Sequence, residues 1–235
     1  PLLSSGPQFD IWRAPTDNDR MIKLQWREYG YDRMQLRLDR WRVTRPSDQV
    51  VVVEVASTLA AACRAAPIRI SQRYAVYGSG DVVLSTTVKI AGCHLPPLPR
   101  LGLRFTMPGT FDRMSWFGRG PHDSYRDSKD RALMGQWQGL VQDHYVPYVV
   151  PQEHGNKTDS RWLAMTDVRG SGLLAVAGAD DFNVSASHYS TENLDRATHT
   201  NELVRQDATF VRLDHLHHGL GSNSCGPTPQ PQHRL

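Results

Sequence analysis

The sequence predicts an all-β protein built mainly from antiparallel strands, with one or two short helices. Apolar and polar residues alternate with a period of two in several segments, which is typical of half-buried strands. Residues 50–55 are almost entirely β-branched, and the Gly/Ser/Asp turn at 77–81 joins two strand-like segments as a hairpin. Strands and helices do not alternate as they would in a (β/α)₈ barrel.

The first half of the chain predicts one helix and four strands. Residues 23–29 form the helical segment, because Leu24 and Trp26 lie on one side and Gly30 can end the helix. Strands are expected at 34–43, 50–55, 68–76 and 82–90, where side chains alternate or β-branched residues dominate. The proline-rich residues 96–99 then favour an extended connection.

Apolar and polar residues alternate again in the second half of the chain, on both sides of a middle segment without a regular pattern. Strands are expected at 101–107, 163–166, 173–176, 182–189 and 209–217. Residues 192–197 predict a second short helix, capped by Ser190 or Thr191. A chain of 235 residues is long enough to bury a sizeable core.

Composition narrows the class of protein. Hydrophobic residues make up 39% and charged residues 22%, as in an ordinary globular chain. The net charge of +3 is small, and no basic run suggests phosphate binding, so no nucleic-acid partner is expected. No apolar run is long enough to cross a bilayer, so no membrane partner is expected. Three cysteines without CxxC spacing, Cys63, Cys93 and Cys225, predict free thiols in a reducing compartment, hence the cytoplasm.

The middle segment, residues 116–162, combines tight Gly/Pro turns with aromatic and charged side chains. Aromatic planes beside Asp, Glu, Asn and Arg suit a sugar, which has an apolar CH face and polar edges. The same residue types also build the corners of a β-sandwich. From composition alone, the interpretation as sandwich corners is favoured over a sugar-binding surface.

Four parts of the chain carry recognisable sequences, and the middle segment contributes two of the five ranges. Residues 116–125 are Trp-Phe-Gly-Arg-Gly-Pro-His-Asp-Ser-Tyr, and 145–156 are Tyr-Val-Pro-Tyr-Val-Val-Pro-Gln-Glu-His-Gly-Asn. Residues 12–19 are Trp-Arg-Ala-Pro-Thr-Asp-Asn-Asp, 182–189 are Phe-Asn-Val-Ser-Ala-Ser-His-Tyr, and 219–226 are Gly-Leu-Gly-Ser-Asn-Ser-Cys-Gly. Taken in chain order, these sequences resemble the C-terminal domain of the large bacterial β-galactosidases of glycoside hydrolase family 2. This domain is of the small-chain or domain 5 type. The resemblance spans nearly the whole chain.

The resemblance implies a β-supersandwich similar to the galactose mutarotase fold. It implies that residues 1–235 are a single C-terminal domain, without its first strands, of an enzyme that hydrolyses terminal β-D-galactosides such as lactose with retention. In the family, the catalytic glutamates sit on a separate (β/α)₈ barrel, where a divalent metal such as Mg²⁺ is also expected. This chain is therefore expected to hold no catalytic residue and no cofactor, and to be inactive alone.

The resemblance also implies a supporting role at the rim of the sugar site. The loop after the 12–19 segment lies at the mouth of the barrel in relatives, and a Trp in some relatives stacks on the sugar where this chain has Cys225. A thiol cannot supply an aromatic platform, which puts the stacking role in doubt. The substrate-proximal residues expected here are Asp19, Arg20, Met21, Asn223, Ser224 and Cys225.

An alternative site would resemble that of a mutarotase, which needs a carboxylate base and a His acid on opposite sides of the ring oxygen. Glu153 could serve as the base with His122, His154 or His188 as the acid. Glu153 could equally be a buried, paired structural acid, which is the interpretation favoured here. The other functional classes left open are an aldose-1-epimerase and a non-catalytic carbohydrate-binding module.

The sequence predicts no metal site and several partners. On a strand His215 and His217 would share a face, but no Cys or carboxylate at ligand spacing supports Zn²⁺, and no metal site is predicted. The expected partners are the barrel and other domains of the same enzyme, a galactoside substrate, and further copies of the chain. An exposed sheet edge, left by missing strands, would favour such self-association.

Overall fold

The computed structural model describes residues 1–62, 68–90 and 95–235. These residues form two compact units, one of residues 1–24 with 97–235 and one of residues 25–96. In chain order the helices and strands are β1 (Ser5–Asp10), α1 (Ile22–Tyr29), β2 (Gln35–Ser47), β3 (Val50–Ala60), β4 (Ile68–Tyr77), β5 (Val82–Ile90), β6 (Arg100–Pro108), β7 (Arg113–Gly120), β8 (Leu133–Leu140), β9 (Lys157–Ser160), β10 (Trp162–Thr166), β11 (Gly172–Val176), β12 (Phe182–Ser187), α2 (Thr191–Arg196) and β13 (Ala208–His217).

The unit of residues 1–24 and 97–235 contains two antiparallel sheets. Five strands are ordered β1-β6-β13-β12-β9, and four are ordered β11-β10-β7-β8. Both sheets contribute side chains to one apolar core, because alternate residues of each strand point to the same side. The core residues are Phe105, Met107, Met114, Trp116, Val141, Leu163, Met165, Val184, Ala186 and Val211. This arrangement is a sandwich, which confirms the predicted all-β fold class.

The unit of residues 25–96 is built on a four-stranded antiparallel meander in the order β2-β3-β4-β5. Ile68 and Ile70 are fully buried on one side of this sheet. Helix α1 ends at Gly30, whose φ of 80° is left-handed. A Cβ on Gly30 would lie 2.5 Å from Cβ of Ala61, so both the backbone conformation and the close packing require glycine.

Most predicted elements are present with small differences in their bounds. Both helices form, and Ser190 caps α2, since its Oγ accepts a hydrogen bond from the backbone N–H of Asn193 (3.1 Å). Strands β2 and β3 are longer than predicted, ending at Ser47 and Ala60. The prediction that residues 1–235 form a single domain lacking its first strands stays a prediction.

The main error lies in the middle segment, where the structure contains strands β7, β8 and β9 that the sequence pattern did not reveal. Glycines in β7 and β8 interrupt the alternation of apolar and polar residues, and β9 is only four residues long. Gly118 in β7 lies directly against β9, and a Cβ there would be 2.6 Å from Oγ of Ser160. A glycine inside a strand commonly marks such a close approach.

The aromatic side chains of the middle segment do not form one exposed sugar platform. Trp116 is 1% exposed and belongs to the apolar core. Tyr125 is also 1% exposed and packs edge-on against the ring of His217, with 5.3 Å between ring centroids. For these two residues the structure supports the interpretation as sandwich-building side chains.

No helix in the described ranges is long and apolar enough to span a membrane.

Candidate functional site: a buried ionic cluster beneath a two-segment rim

A buried ion pair fixes the turn that follows β1. Arg13 is completely buried, and its guanidinium binds Asp19 through Nε to Oδ2 (3.0 Å) and Nη2 to Oδ1 (2.7 Å). This two-point geometry matches the planar fork of arginine to a carboxylate. The backbone N–H of Thr16 donates to the same Oδ2 at 2.9 Å, which closes the turn. Asp19 is therefore buried beneath the turn and is not part of its surface.

The same guanidinium joins the turn to the end of β13. Nη1 of Arg13 donates to the carbonyl of His218 at 2.8 Å and lies 3.0 Å from Nδ1 of His217. Nη2 of Arg100 lies 2.8 Å from Nε2 of the same imidazole. Guanidinium groups only donate, so at least one ring nitrogen of His217 must be unprotonated to accept a hydrogen bond from them, and His217 is therefore neutral. Burial and the nearby Arg100 charge lower its pKa to about 4.

Arg100 holds two further acids in the interior. It is 0% exposed, donates from Nη2 to Oε1 of Glu153 (2.7 Å), and lies 3.2 Å from Oδ2 of Asp214. Burial opposes ionisation of Glu153, but the Arg100 charge, with His217 Nε2 3.8 Å from Oε1, outweighs it and holds the pKa of Glu153 well below its usual range. At Asp214 burial prevails over the Arg100 charge and raises the pKa to about 6.

These side chains form one connected group, which we call the ionic cluster. Its members are Arg13, Asp19, Arg100, Glu153, Asp214 and His217. Removing one partner from such a buried group leaves an uncompensated charge, which is strongly destabilising. The cluster therefore holds together the turn at 13–19, the start of β6, residue 153 and the end of β13.

Above the ionic cluster, two distant segments of the chain meet at the surface. Asn18 donates from Nδ2 to the carbonyl of Gly221 (2.8 Å) and accepts at Oδ1 from the N–H of Ser224 (3.0 Å). Arg20 donates from Nη1 to the carbonyl of Ser224 at 3.1 Å. Asp127 supports the second segment from the other side, accepting from the N–H groups of Leu220 (3.0 Å) and Gly221 (2.6 Å). We call residues 17–21 and 219–226 the rim.

Six residues were predicted to lie near substrate. The structure places all six in the rim, and five of them are open to solvent. Arg20, Met21, Ser224 and Cys225 are exposed and Asn223 is half-buried, whereas Asp19 is buried. Cys225 is a free, exposed thiol, as predicted. The predictions for Cys63 and Cys93 fall outside the described residues.

The alternative mutarotase-like residues do not all come together. Glu153 belongs to the ionic cluster, and His122 is exposed. His154 and His188 line one cleft of about 210 Å³ with Tyr145 and Tyr189. Each imidazole is anchored through Nδ1, His154 to the carbonyl of Gln152 (2.8 Å) and His188 to that of Ala208 (2.8 Å). The cleft thus combines two histidines and two tyrosines without the carboxylate.

Several residues that build the site were not singled out from the sequence. Arg100 and Asp214 are strand residues whose partners are far away in the chain, so no local spacing marks them. Arg13 lies within the 12–19 motif, and an arginine beside an Asp-Asn-Asp turn is a sequence signal that could have suggested an ion pair. Within the described ranges, no group of three or more His, Cys, Asp or Glu side chains could hold a metal ion.

Comparison with known proteins identifies similar chains. The family model described as beta galactosidase small chain matches residues 1–235. The β-galactosidase of Actinobacillus pleuropneumoniae is 33% identical over 236 residues, covering 100% of this chain and 22% of that protein. The β-galactosidase of Vibrio cholerae is 34% identical over 95% of this chain and 22% of its own length. That of Kluyveromyces lactis is 30% identical over 98% of this chain and 22% of its own length. The chain therefore spans about a fifth of the length of these relatives.

Proposed function

The chain belongs to the beta galactosidase small chain family, and we propose that it is the C-terminal domain of a β-galactosidase that hydrolyses terminal β-D-galactosides such as lactose with retention. The chain supplies the rim of the sugar site and takes part in assembly. The catalytic carboxylates, with a divalent metal, belong to the remaining four fifths or so of the enzyme.

The observation that carries this proposal is the rim and the ionic cluster beneath it. Segments from opposite ends of the chain are joined by direct hydrogen bonds at Asn18 and Arg20. They rest on an arginine, Arg13, that is bonded to Asp19 and to the carbonyl of His218. Binding groups need such a locked support to hold a productive geometry. The structure is thus suited to presenting a fixed surface to a sugar held by another domain.

The buried acids support a structural role over a catalytic one. Retaining glycosidases use two carboxyl groups about 5 to 5.5 Å apart that face the scissile bond. Glu153 is 6% exposed and Asp214 is 0% exposed, and both are bound to Arg100 in the interior. A sugar and a water molecule cannot reach carboxylates held in this way. We therefore assign no catalytic carboxylate to this chain, and expect it to be inactive alone.

The exposed rim residues suggest what the domain contributes to binding. The guanidinium of Arg20, the amide of Asn223 and the hydroxyl of Ser224 can all bond to sugar hydroxyls. The family resemblance implies an aromatic ring stacked on the sugar at the position of Cys225, whose exposed small thiol would leave that face less covered. The proposed domain therefore positions the sugar mainly through polar contacts.

Rim variants of the full-length enzyme test this proposal. Arg20→Ala and Ser224→Ala are expected to lower kcat/KM for lactose by about tenfold each, since a lost hydrogen bond to a bound group is worth about 1.4 kcal/mol. The matched control is Arg169→Ala, an exposed arginine in a turn away from the rim. Thermal unfolding of all three should match the parent. Equal kcat/KM in rim and control variants would contradict the proposed role.

Assembly is supported by an apolar face on the unit of residues 25–96. Trp41 is 65% exposed, Val43 50% and Val82 56%, and the strand register places them on the same side of the sheet. Contiguous exposed apolar side chains mark interaction surfaces. We propose that this face packs on another domain of the enzyme or on a second copy, in the cytoplasm. Sedimentation of the chain should show less self-association after Trp41→Lys than after Val168→Lys, a control at an exposed valine of the other unit.

A second candidate function rests on the cleft between His154 and His188. Two imidazoles anchored through Nδ1, beside Tyr145 and Tyr189, could bind a free sugar or act on its anomeric centre. This would be a carbohydrate-binding module or an aldose-1-epimerase. Titration calorimetry with galactose distinguishes both of these functions from the main proposal. Binding by the parent chain that is lost in His188→Gln would show that the cleft binds the sugar. Polarimetry then distinguishes binding alone from mutarotation.

A further inference from the structure

Arginines that lie far apart in the sequence share one face of the β2–β5 sheet. The register pairs Arg40 with Ala56, Ala56 with Ser71, and Ser71 with Thr87, giving one row across the four strands. The parallel row consists of Arg42, Glu54, Arg73 and Ser85. The two rows are two residues apart on each strand, so their side chains leave the same face.

A shallow groove runs between these rows. Its volume is about 690 Å³, and Trp41, Val55 and Gln72, from positions between the rows, line it together with residues of both rows, including Arg40, Arg42, Glu54, Ser71, Arg73 and Thr87. The six named residues of the two rows are exposed. Four strands spaced about 4.8 Å apart give the groove a length of about 14 Å, which suits an oligomeric ligand better than a monosaccharide.

The groove is electropositive. Its three arginines form no ion pair with any carboxylate in the described part of the chain, and Glu54 is its one acidic lining residue there. The neighbouring row adds Arg37, Arg69 and Lys89, together with one carboxylate, Asp39, which pairs with Arg37 and lies within electrostatic reach of Arg69. The chain as a whole carries only +3, so positive charge is concentrated on this face.

We propose that this groove binds an acidic oligosaccharide, a chain of sugar residues bearing carboxylates. The forked guanidinium groups of Arg40, Arg42 and Arg73 match carboxylates in two-point geometry. The hydroxyls of Ser71 and Thr87 can bond to sugar hydroxyls, and Glu54 can only accept, which suits a ligand that carries hydroxyl donors beside its acids. A DNA backbone offers acceptors without such donors, so Glu54 disfavours it. This site is independent of the rim.

Titration calorimetry of the chain with tetragalacturonic acid at low salt tests the inference. The parent should bind, and the affinity should fall as salt is added, because exposed charges are screened. Arg42→Gln with Arg73→Gln should weaken binding by about tenfold or more, since charge-assisted pairs are lost. The matched control is Arg113→Gln with Arg169→Gln, which removes the same charge from exposed arginines of the other unit.

Two further ligands decide the nature of the occupant. Neutral galactotetraose should not bind, and poly-glutamate of similar charge should bind more weakly than tetragalacturonic acid. Glu54→Gln should strengthen poly-glutamate more than tetragalacturonic acid, because it removes a repelling charge for both ligands and also weakens the acceptor that the sugar hydroxyls use. Equal loss in the site and control variants, tighter binding of poly-glutamate, or no binding of tetragalacturonic acid would each overturn the inference. Circular dichroism of every variant confirms that the sheet is intact.

Discussion

The substitution Asp19→Asn tests the ionic cluster at the buried ion pair beneath the rim. The Asp19 carboxylate accepts from Nε and Nη2 of Arg13, and from the backbone and hydroxyl of Thr16, at 2.7–3.1 Å. The side chains of Arg13 and Asp19 are 0% and 2% exposed. The amide of asparagine removes the negative charge and turns a donor toward the guanidinium, so the buried Arg13 charge loses its partner.

The expected loss is about 3 to 5 kcal/mol in the free energy of unfolding, as for other buried pairs broken from one side. In a chain of this length each kcal/mol lowers Tm by about 2 to 4 °C, so Tm should fall by about 6 to 20 °C. Urea unfolding followed by Trp fluorescence measures the difference. Asp17→Asn is the matched control, because Asp17 lies in the same turn but is exposed, and it should change stability by about 0.5 kcal/mol or less. If the two variants unfold alike, the ionic cluster does not hold the rim in place.

Two further predictions concern pH and packing. Burial and neighbouring cationic residues lower the pKa values of His144, His217 and His218 from 6.5 to about 4, so stability is lost as pH falls below about 6.5. The raised pKa of Asp214 works in the opposite direction below about pH 6, and urea unfolding should show a net loss of about 4 kcal/mol from pH 7 to pH 5. Gly102→Ala would place a Cβ 2.5 Å from Cα of Asp214 and should lower the free energy of unfolding by about 3 kcal/mol or more, whereas Gly178→Ala, with nothing within 4 Å, should be nearly neutral.

Local sequence pattern predicted the strands whose burial alternates regularly. Strand β5 was predicted with its observed bounds, Val82–Ile90, and β4 lacked only its last residue. Strands β7 and β8 were missed, because glycines replace side chains where the backbone packs closely, as at Gly118 and Gly120. Such contacts are made with residues far along the chain, so no window of sequence contains them.

The site was less predictable than the fold for the same reason. Arg20 and Ser224 are joined by a hydrogen bond across 204 positions, and Arg100 and Glu153 by one across 53. The rim residues were found through the family resemblance, and the ionic cluster only through the structure. The groove on the β2–β5 sheet also depends on contacts that are distant in the sequence. Arg40, Arg42 and Arg73 are scattered along the chain, and the strand register brings them to one face.

We propose that this chain supports the active site and holds no catalytic carboxylate. Polarimetry tests this most directly, by following the optical rotation of lactose and of galactose with the purified chain and with the full-length enzyme. We expect the full-length enzyme, but not the isolated chain, to hydrolyse lactose, and we expect the chain not to speed up the interconversion of α- and β-galactose. Turnover of either sugar by the isolated chain, lost in Glu153→Gln, would contradict this proposal and place catalysis within the ionic cluster.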